Sequence, residues 1–357
     1  MKKGYQKDKT LARGKNVFIG MDVHKESWHV SARIDGEEVF HVNMPSAYGS
    51  LQKLLERFKD CTIKVAYEAG PCGFWLYDKL IADGIETIVV PPSLIPLESG
   101  NRVKTDKRDS RKLAQLLEKG MLKRVHVLSE EERLHREILR TRRQLIEHRS
   151  DVARQIKSKL LFHGIEFPGE AGSGWNRQFI RWLRELGATH QVLSLSLGFL
   201  IDLWEHLTDQ IKKITKDVFL LAKNKKYAQS ISLLKTIPGI GRLVATEILV
   251  ELQDIKRFKS SENIASYMGL TPSEYSTGQY TRQGRITRCG NARVRSCLVE
   301  SSWVLIYRDP AMKEKYEKLK SRKGAKRAIV AIARNLIIRI RRMLLSNEPY
   351  MCRLKTS

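Results

Sequence analysis

Apolar and polar residues alternate in short runs over the first part of the chain. Three such runs begin at Val17, Trp28 and Glu38 and end by residue 42, and alternation with a period of two predicts half-buried β-strands. Asp35-Gly36 separates the last two runs, and an Asp-Gly pair between strand patterns is typical of a tight hairpin. The pattern therefore predicts three antiparallel strands.

Helical and strand patterns then follow one another. Leucines 51, 54 and 55 and Phe58 recur at helical spacing, segments 62–67 and 86–90 have the composition of buried strands, and helices are predicted over 74–82 and from about residue 105. Strands that alternate with helices in this way build a mixed sheet with helices packed on it. We expect residues 1–125 to form such an α/β domain.

Strand patterns are absent from residues 126–228, which we expect to be helical. Apolar residues there recur at steps of four and three over four heptads, at Leu193, Leu197, Leu200, Trp204, Leu207, Ile211, Ile214, Val218 and Leu221. Such a seam fits a helix in the core of a bundle and equally a coiled coil between two copies of the chain. The pattern leaves both open, so this segment is a candidate oligomerisation region.

The last segment, residues 229–357, is predicted to be mainly α-helical. Two apolar helical patterns flank Pro238-Gly239-Ile240-Gly241. Glycines permit a tight turn and leave backbone N–H groups exposed at the start of the second helix, where they suit a phosphate. Gly239 and Gly241 are therefore candidate DNA-backbone contacts in an element resembling a helix-hairpin-helix, although the same residues also occur in ordinary turns.

The balance of charge indicates a polyanionic partner. Lys and Arg number 65 against 39 Asp and Glu, a formal net charge of +26, and nucleic acid is the commonest polyanion that such a surface attracts. We expect no membrane span, because no run of about 18 apolar residues occurs. The five cysteines form no CxxC pair, which favours a reducing cytoplasm without zinc or disulfides.

Four acidic residues in the first third of the chain could carry chemistry. Asp22 and Glu68 each end a predicted strand, whereas Asp106 and Asp109 are three residues apart near the start of a helix and can face the same side. If they converge, hard oxygen ligands of this kind select Mg²⁺ or Mn²⁺. Singly, each could merely end a strand or cap a helix. Nearby candidates for phosphate contact are Lys104, Lys107 and Arg108.

The acidic segments resemble motifs of a known family. Segments 20–25 (GMDVHK), 67–71 (YEAGP) and 104–110 (KTDKRDS) are similar to those of IS110/IS1111 insertion-sequence transposases. The resemblance implies an N-terminal domain with an RNase H-like fold similar to the junction resolvase RuvC. It also implies that Asp22, Glu68, Asp106 and Asp109 form a catalytic, metal-binding set.

The C-terminal third resembles the second domain of the same family in segments 236–241 (TIPGIG), 268–278 (MGLTPSEYSTG) and 284–291 (GRITRCGN). The resemblance implies a catalytic serine just before Gly278, in a site completed by both domains. Alignment indicates Thr277 and residue type favours Ser276, and both hydroxyls could instead only support a glycine turn. Candidate phosphate ligands, or general backbone contacts, are Arg282, Arg285, Arg288 and Arg293.

The resemblance further implies the partners of the chain. They are donor and target DNA, a structured non-coding guide RNA, and further copies of the chain in a dimer or tetramer. We expect no membrane partner, and we expect the protein in the bacterial cytoplasm, near the nucleoid. Two alternatives remain. One is a RuvC-like structure-selective endonuclease in which water attacks the DNA, and the other is a non-catalytic nucleic-acid-binding protein.

Overall fold

The computed structural model describes residues 13–96, 106–166, 174–186, 191–277 and 280–352, and their side chains except at 106, 191, 192, 275–277 and 280–283. Backbone contacts divide the chain into two units, Met1–Leu128 and Ser129–Ser357. Each unit has hydrophobic cores of its own. The division at residues 125 and 228 expected from the sequence stays a prediction.

The first unit is built on one mixed sheet. Its strands are β1 (Asn16–Val23), β2 (Ser27–Ile34), β3 (Glu37–Pro45), β4 (Thr62–Glu68) and β5 (Glu86–Val90), in the order β3-β2-β1-β4-β5. The first three strands are antiparallel, as predicted, whereas β4 runs parallel to both β1 and β5. Asp35 and Gly36 turn the β2–β3 hairpin with φ of 50° and 86°, the signature of a type I′ turn.

Helices cover both faces of this sheet. α1 (Tyr48–Leu55) and α2 (Trp75–Ala82) bury leucines against one face. On the other face, α3 (Asp106–Glu118) lies across β1, β2 and β4. This arrangement confirms the predicted mixed sheet with packed helices, and it is consistent with an RNase H-like fold.

The second unit is mainly helical, as expected. Its helices are α4 (Glu130–Phe162), α5 (Arg177–Glu185), α6 (Gln191–Leu221), α7 (Lys225–Leu234), α8 (Arg242–Leu252), α9 (Ser261–Tyr267), α10 (Ala292–Arg308), α11 (Pro310–Lys323) and α12 (Ala325–Ser346). Ser129 and Glu132 form a capping box that starts α4. Helices α7 to α12 enclose the larger of the unit's two cores. Within the described ranges, no helix is long and apolar enough to cross a membrane.

The heptad seam of residues 193–221 lies on α6 and packs inside the chain. Leu197 and Leu207 are buried in a core that also holds Val152 and Ile156 of α4, and Val218 belongs to the larger core. α6 therefore pairs with α4 in the same chain. The pattern allowed a core helix of a bundle or a coiled coil between two copies, and the structure shows α6 as a core helix of a bundle.

A short antiparallel hairpin interrupts the helices of the second unit. It consists of β6 (Pro272–Thr277) and β7 (Tyr280–Ile286). No strand was predicted in this region. The sequence had indicated only a turn around Gly278, and that residue lies outside the described part of the chain.

Candidate active site

Two of the predicted acids lie where β1 and β4 end. These strands are parallel neighbours, and their register pairs Met21 with Tyr67, so Asp22 and Glu68 follow at the same edge of the sheet. Met21 and Tyr67 are buried in the core with α1 and α2. Because side chains alternate along a strand, Asp22 and Glu68 belong to the opposite face, on which α3 packs.

The approach of α3 to this face depends on Gly20. A Cβ added at Gly20 would lie far inside contact distance of the Ser110 carbonyl oxygen and the Ala114 nitrogen. The helix can therefore cross β1 only where the side chain is a hydrogen atom. The hydroxyl oxygens of Ser31 and Ser110, both fully buried, are 2.9 Å apart and tie α3 to β2. This packing carries the neighbouring Asp109 toward the strand ends.

Asp22, Glu68 and Asp109 line one cavity of about 760 Å³, which also has His24, Lys25 and Trp75 in its wall. The three acids come from three separate elements, so their meeting follows from the fold and not from their spacing in the sequence. The carboxylates can offer oxygen ligands to a hard cation. The described side chains alone contain no group of three or more residues placed to hold a metal ion.

The remaining predicted residues of this unit lie on or before α3. Asp106 is the first residue of α3, three positions before Asp109, and its side chain lies outside the described ones. Lys107 and Arg108 are exposed on the first turn of the same helix. Lys104 falls outside the described residues. The α3 start thus combines one acid at the cavity with exposed cations beside it.

The glycine turn lies between two helices, α7 and α8, as predicted. Gly239 has a φ of 89°, and an added Cβ would lie 2.7 Å from the carbonyl oxygen of Ser301, so packing against α10 alone requires this glycine. Gly241 precedes α8, where no side chain caps the helix. The first N–H groups of α8 therefore lack a side-chain acceptor from that position, as a phosphate contact would require.

The two candidate hydroxyls lie at the end of β6. Ser276 pairs with Thr281 and Thr277 pairs with Tyr280 across the hairpin, and their side chains are outside the described ones. Arg282 and Arg285 lie on β7, and the side chain of Arg285 is exposed. The backbone geometry leaves the choice between Ser276 and Thr277 as a prediction.

Segments 268–270 (Met-Gly-Leu) and 288–291 (Arg-Cys-Gly-Asn) pack against each other. Gly269 has a φ of 63°, and a Cβ there would lie 2.8 Å from the Cys289 carbonyl oxygen, while a Cβ at Gly290 would overlap the Tyr267 carbonyl. Exposed Arg288 has a φ of 55° in the same turn. The two glycines are thus required by close backbone approach.

Asn291 fixes the start of α10 directly after this turn. Its side-chain oxygen accepts hydrogen bonds from the backbone N–H groups of Arg293 and Val294, and its amide donates to Glu251 at 2.9 Å. Glu251 is buried and also pairs with Arg136 and Arg140 of α4. Arg293 is half-buried in the first turn of α10. The start of α10, which carries Arg293, is therefore held by a buried ionic network through Asn291.

Comparison with known proteins identifies the family. The model described as "Transposase IS116/IS110/IS902 family" matches residues 231–317, and a second transposase model, of the IS110 type with the four-acid DEDD set, matches residues 19–164. The chain belongs to the IS110 family of transposases. The match over residues 19–164 contains the acidic cavity, and the match over residues 231–317 contains the β6–β7 hairpin.

Two relatives match this IS110-family transposase over most of their length, and a third matches over less than half of its own. An inferred transposase of Sinorhizobium fredii, y4qE, is 29% identical over 94% of this chain and 84% of its own. The transposase for insertion sequence element IS1533 of Leptospira borgpetersenii is 25% identical over 94% and 97%. The pilin gene-inverting protein of Moraxella bovis is 31% identical over 41% of this chain and 46% of its own.

Sequence reasoning assigned no role to His24, which the structure places beside the acids of this transposase. Its Nε2 lies 3.1 Å from Oδ2 of Asp22, and it lines the same cavity. The signal was present in the sequence, since residues two apart at a strand end face the same side. His24 thus places a ring nitrogen within hydrogen-bond distance of one of the carboxylates.

Proposed function

We propose that this transposase cuts and rejoins DNA strands by metal-dependent phosphoryl transfer at the cavity of its first unit. The observation that carries the proposal is that Asp22, Glu68 and Asp109 line one cavity although they come from β1, β4 and α3. Carboxylates that converge on one cavity repel one another, so this arrangement favours a bound cation.

The donor set fits a hard divalent ion. Carboxylate oxygens are the ligands that Mg²⁺ and Mn²⁺ prefer, and Asp22, Glu68 and Asp109 would hold the ion together with Asp106, the first residue of the same helix. When bound, such an ion stabilises negative charge that develops on phosphate oxygens during displacement. Lys107 and Arg108, with Lys104 before them, would bind neighbouring phosphates and keep the DNA backbone at the cavity mouth.

The proposed nucleophile is a hydroxyl at the end of β6. The oxygen of Ser276 or Thr277 would attack phosphorus and form a protein–DNA ester, and the displaced DNA oxygen would leave with a proton. Reversal of this step rejoins DNA ends without an outside energy source. One relative is named for inverting a gene, and inversion requires DNA ends to be joined as well as cut.

The net charge of +26 attracts nucleic acids in general. We include donor and target DNA and a structured guide RNA in the proposal, since charge attracts both polymers alike. Exposed N–H groups after Gly241 and the arginines at 282, 285, 288 and 293 are the proposed backbone contacts of the second unit. A dimer or tetramer would use surfaces other than the α6 seam, which is packed within the chain.

The test is cleavage of a supercoiled plasmid that carries the DNA flanking the gene, with RNA transcribed from the same region and Mg²⁺. Asp22→Asn and Glu68→Gln should each abolish cleavage and leave DNA binding intact. Asp35→Asn is the matched control, because Asp35 has a φ of 50° that Asn also tolerates. Undiminished cleavage by the Asp22→Asn, Glu68→Gln double variant would contradict the acidic site.

The nature of the nucleophile is tested separately. Denatured reactions should contain a DNA–protein ester, and acid hydrolysis should release phosphoserine or phosphothreonine. Ser276→Ala and Thr277→Ala identify which residue carries it. Cleavage without any covalent link would instead show that water attacks, as in a structure-selective endonuclease.

A further inference from the structure

Trp75 is an exposed aromatic residue in the wall of the acidic cavity. It begins α2, is 41% exposed, and lines the cavity with Asp22, Glu68 and Asp109. A single exposed aromatic residue is common on a protein surface, but Trp75 lies in the wall of a cavity that also contains three acids.

The indole of Trp75 is held in place from beneath. Its ring centroid lies 5.9 Å from that of Trp28, which is fully buried and donates a hydrogen bond from Nε1 to the His24 carbonyl oxygen at 3.1 Å. Trp75 thus contacts a fixed ring at a tilt of 39° and also lines the cavity. An exposed indole face can stack on a flat ring.

The other groups around the cavity narrow the partner further. The carboxylates repel an isolated anion. Lys25 is exposed in the same wall and can contact an anionic group that belongs to a larger ligand. A nucleotide of a DNA strand offers both a π-face and a phosphate. The cavity of about 760 Å³ lies within the roughly 300–1,000 Å³ of typical ligand sites.

We propose that Trp75 stacks on an unpaired nucleobase next to the phosphate at the acidic cavity, while Lys25 contacts the adjoining phosphate. This inference rests on the proposed function, because it assumes that a DNA strand enters the cavity. Stacking on Trp75 would hold a base out of the duplex and fix the strand's position along the cavity. Every base has a π-face, so the contact would select unpaired over paired DNA and not a sequence.

The test is binding of a DNA duplex with a short unpaired segment that contains 2-aminopurine, measured with the full chain in Ca²⁺ and again in EDTA. Stacking should quench the fluorescence of the base. Trp75→Ala should abolish the quenching and weaken binding about 5- to 150-fold, the range found for base–aromatic stacking. Trp75→Phe should retain most of both. Ile81→Ala, at an exposed residue of the same helix, is the matched control.

A second probe with abasic sites in the unpaired segment separates base from phosphate. The native chain and Trp75→Ala should bind it equally, whereas Lys25→Ala should weaken binding of both probes by the same factor. Equal binding of base-containing and abasic DNA by the native chain would overturn the proposal. So would a Trp75→Ala variant that changes the oligomeric mass but not the quenching, because Trp75 would then contact protein.

These readouts do not depend on cleavage. If Asp22→Asn leaves cleavage undiminished while Trp75 still quenches the probe, the proposed function fails and the stacking site stands. If cleavage requires Asp22 but Trp75→Ala binds the base-containing probe like the native chain, the stacking site fails and the proposed function stands.

Discussion

Gly20 is where a single hydrogen atom sets the distance between a helix and a strand. Any Cβ at this position would overlap the backbone of α3 at Ser110 and Ala114, and backbone cannot rotate away as a side-chain end does. We expect Gly20→Ala to lower the free energy of unfolding by at least about 1–3 kcal/mol, the usual cost of overpacking. Urea unfolding followed by tryptophan fluorescence measures it.

Gly49 provides the control for this substitution. It lies within α1, and a Cβ there would meet nothing within 4 Å. Gly49→Ala should therefore stabilise the protein by roughly 0.5–1 kcal/mol, since alanine loses less backbone entropy in a helix. Equal unfolding midpoints for the two variants would show that α3 does not need close contact with β1.

His41 should make the first unit less stable in acid. Its pKa is lowered from the usual 6.5 by burial, then by the positive charges of Arg111 and Lys107 and by His29, while Glu38 acts in the opposite direction. The ring's Nδ1 lies 2.9 Å from the Ser31 hydroxyl. Below about pH 6.5 the unfolded chain therefore binds a proton that the folded chain resists, and stability falls with pH.

The measurement is the free energy of unfolding of the native chain and of His41→Gln between pH 8 and pH 5. At pH 8 the imidazole is neutral in both states, so its titration contributes nothing there. As the pH falls below about 6.5, the native chain should lose stability faster than the variant. Parallel pH profiles would show that His41 does not resist protonation in the folded state.

At the scale of elements, the sequence pattern predicted what has a period and missed what does not. The long helices and strands β1 to β3 have apolar residues at steps of three and four or of two, and β4 and β5 are short apolar runs, so each gives a recognisable pattern. The β6–β7 hairpin contains Ser, Glu, Thr, Gln and Arg at most positions. A two-stranded hairpin of this composition has little apolar alternation, so the pattern gave no strand signal.

The candidate site was predictable for a related reason and to a similar extent. Asp22 and Glu68 follow apolar strands, and parallel neighbours bring their ends to one edge, so this part follows from chain order. The contribution of Gly20 depends on where α3 crosses the sheet. Trp75 enters the cavity wall through the start of α2. The sequence pattern predicts neither the point at which α3 crosses the sheet nor the position of Trp75 in the cavity wall.

The start of α10 depends on a side chain that serves two elements. Asn291 caps α10 and also donates to buried Glu251 of α8. Asn291→Ala should cost about 1 kcal/mol for the lost cap and about 1–3 kcal/mol more for the weakened buried network. Thermal unfolding with calorimetric enthalpies gives the difference in the free energy of unfolding between the native chain and the variant.

Asn224 separates the two contributions to this prediction. It caps α7 through a single bond to the Lys226 N–H and is exposed. Asn224→Ala should therefore show the cap cost alone, and a loss at Asn291 no greater than at Asn224 would contradict a role for Glu251. Asn291→Asp retains the cap but places a second carboxylate beside Glu251, so it should be as destabilising as Asn291→Ala.

At the scale of the whole molecule, the charge of +26 is large enough to dominate encounter with DNA. Each phosphate neutralised by Lys or Arg releases counterions, so affinity should fall with a log–log slope of about −0.9 per contact. For a footprint of roughly 6–10 phosphates, affinity should fall about 10³- to 10⁵-fold between 50 and 200 mM salt. Fluorescence anisotropy of a labelled duplex at several KCl concentrations measures this slope.

The slope also tells which cations touch DNA. Lys107 is exposed on the first turn of α3, beside Asp109 of the acidic cavity, and Lys107→Ala should reduce the slope by about 1. Lys318 is exposed on α11 and pairs with Glu314 at 2.8 Å, so Lys318→Ala should leave the slope unchanged. Equal slopes for all three proteins would mean that the backbone does not pass α3, and that the phosphate to be cut does not reach the cavity along that helix.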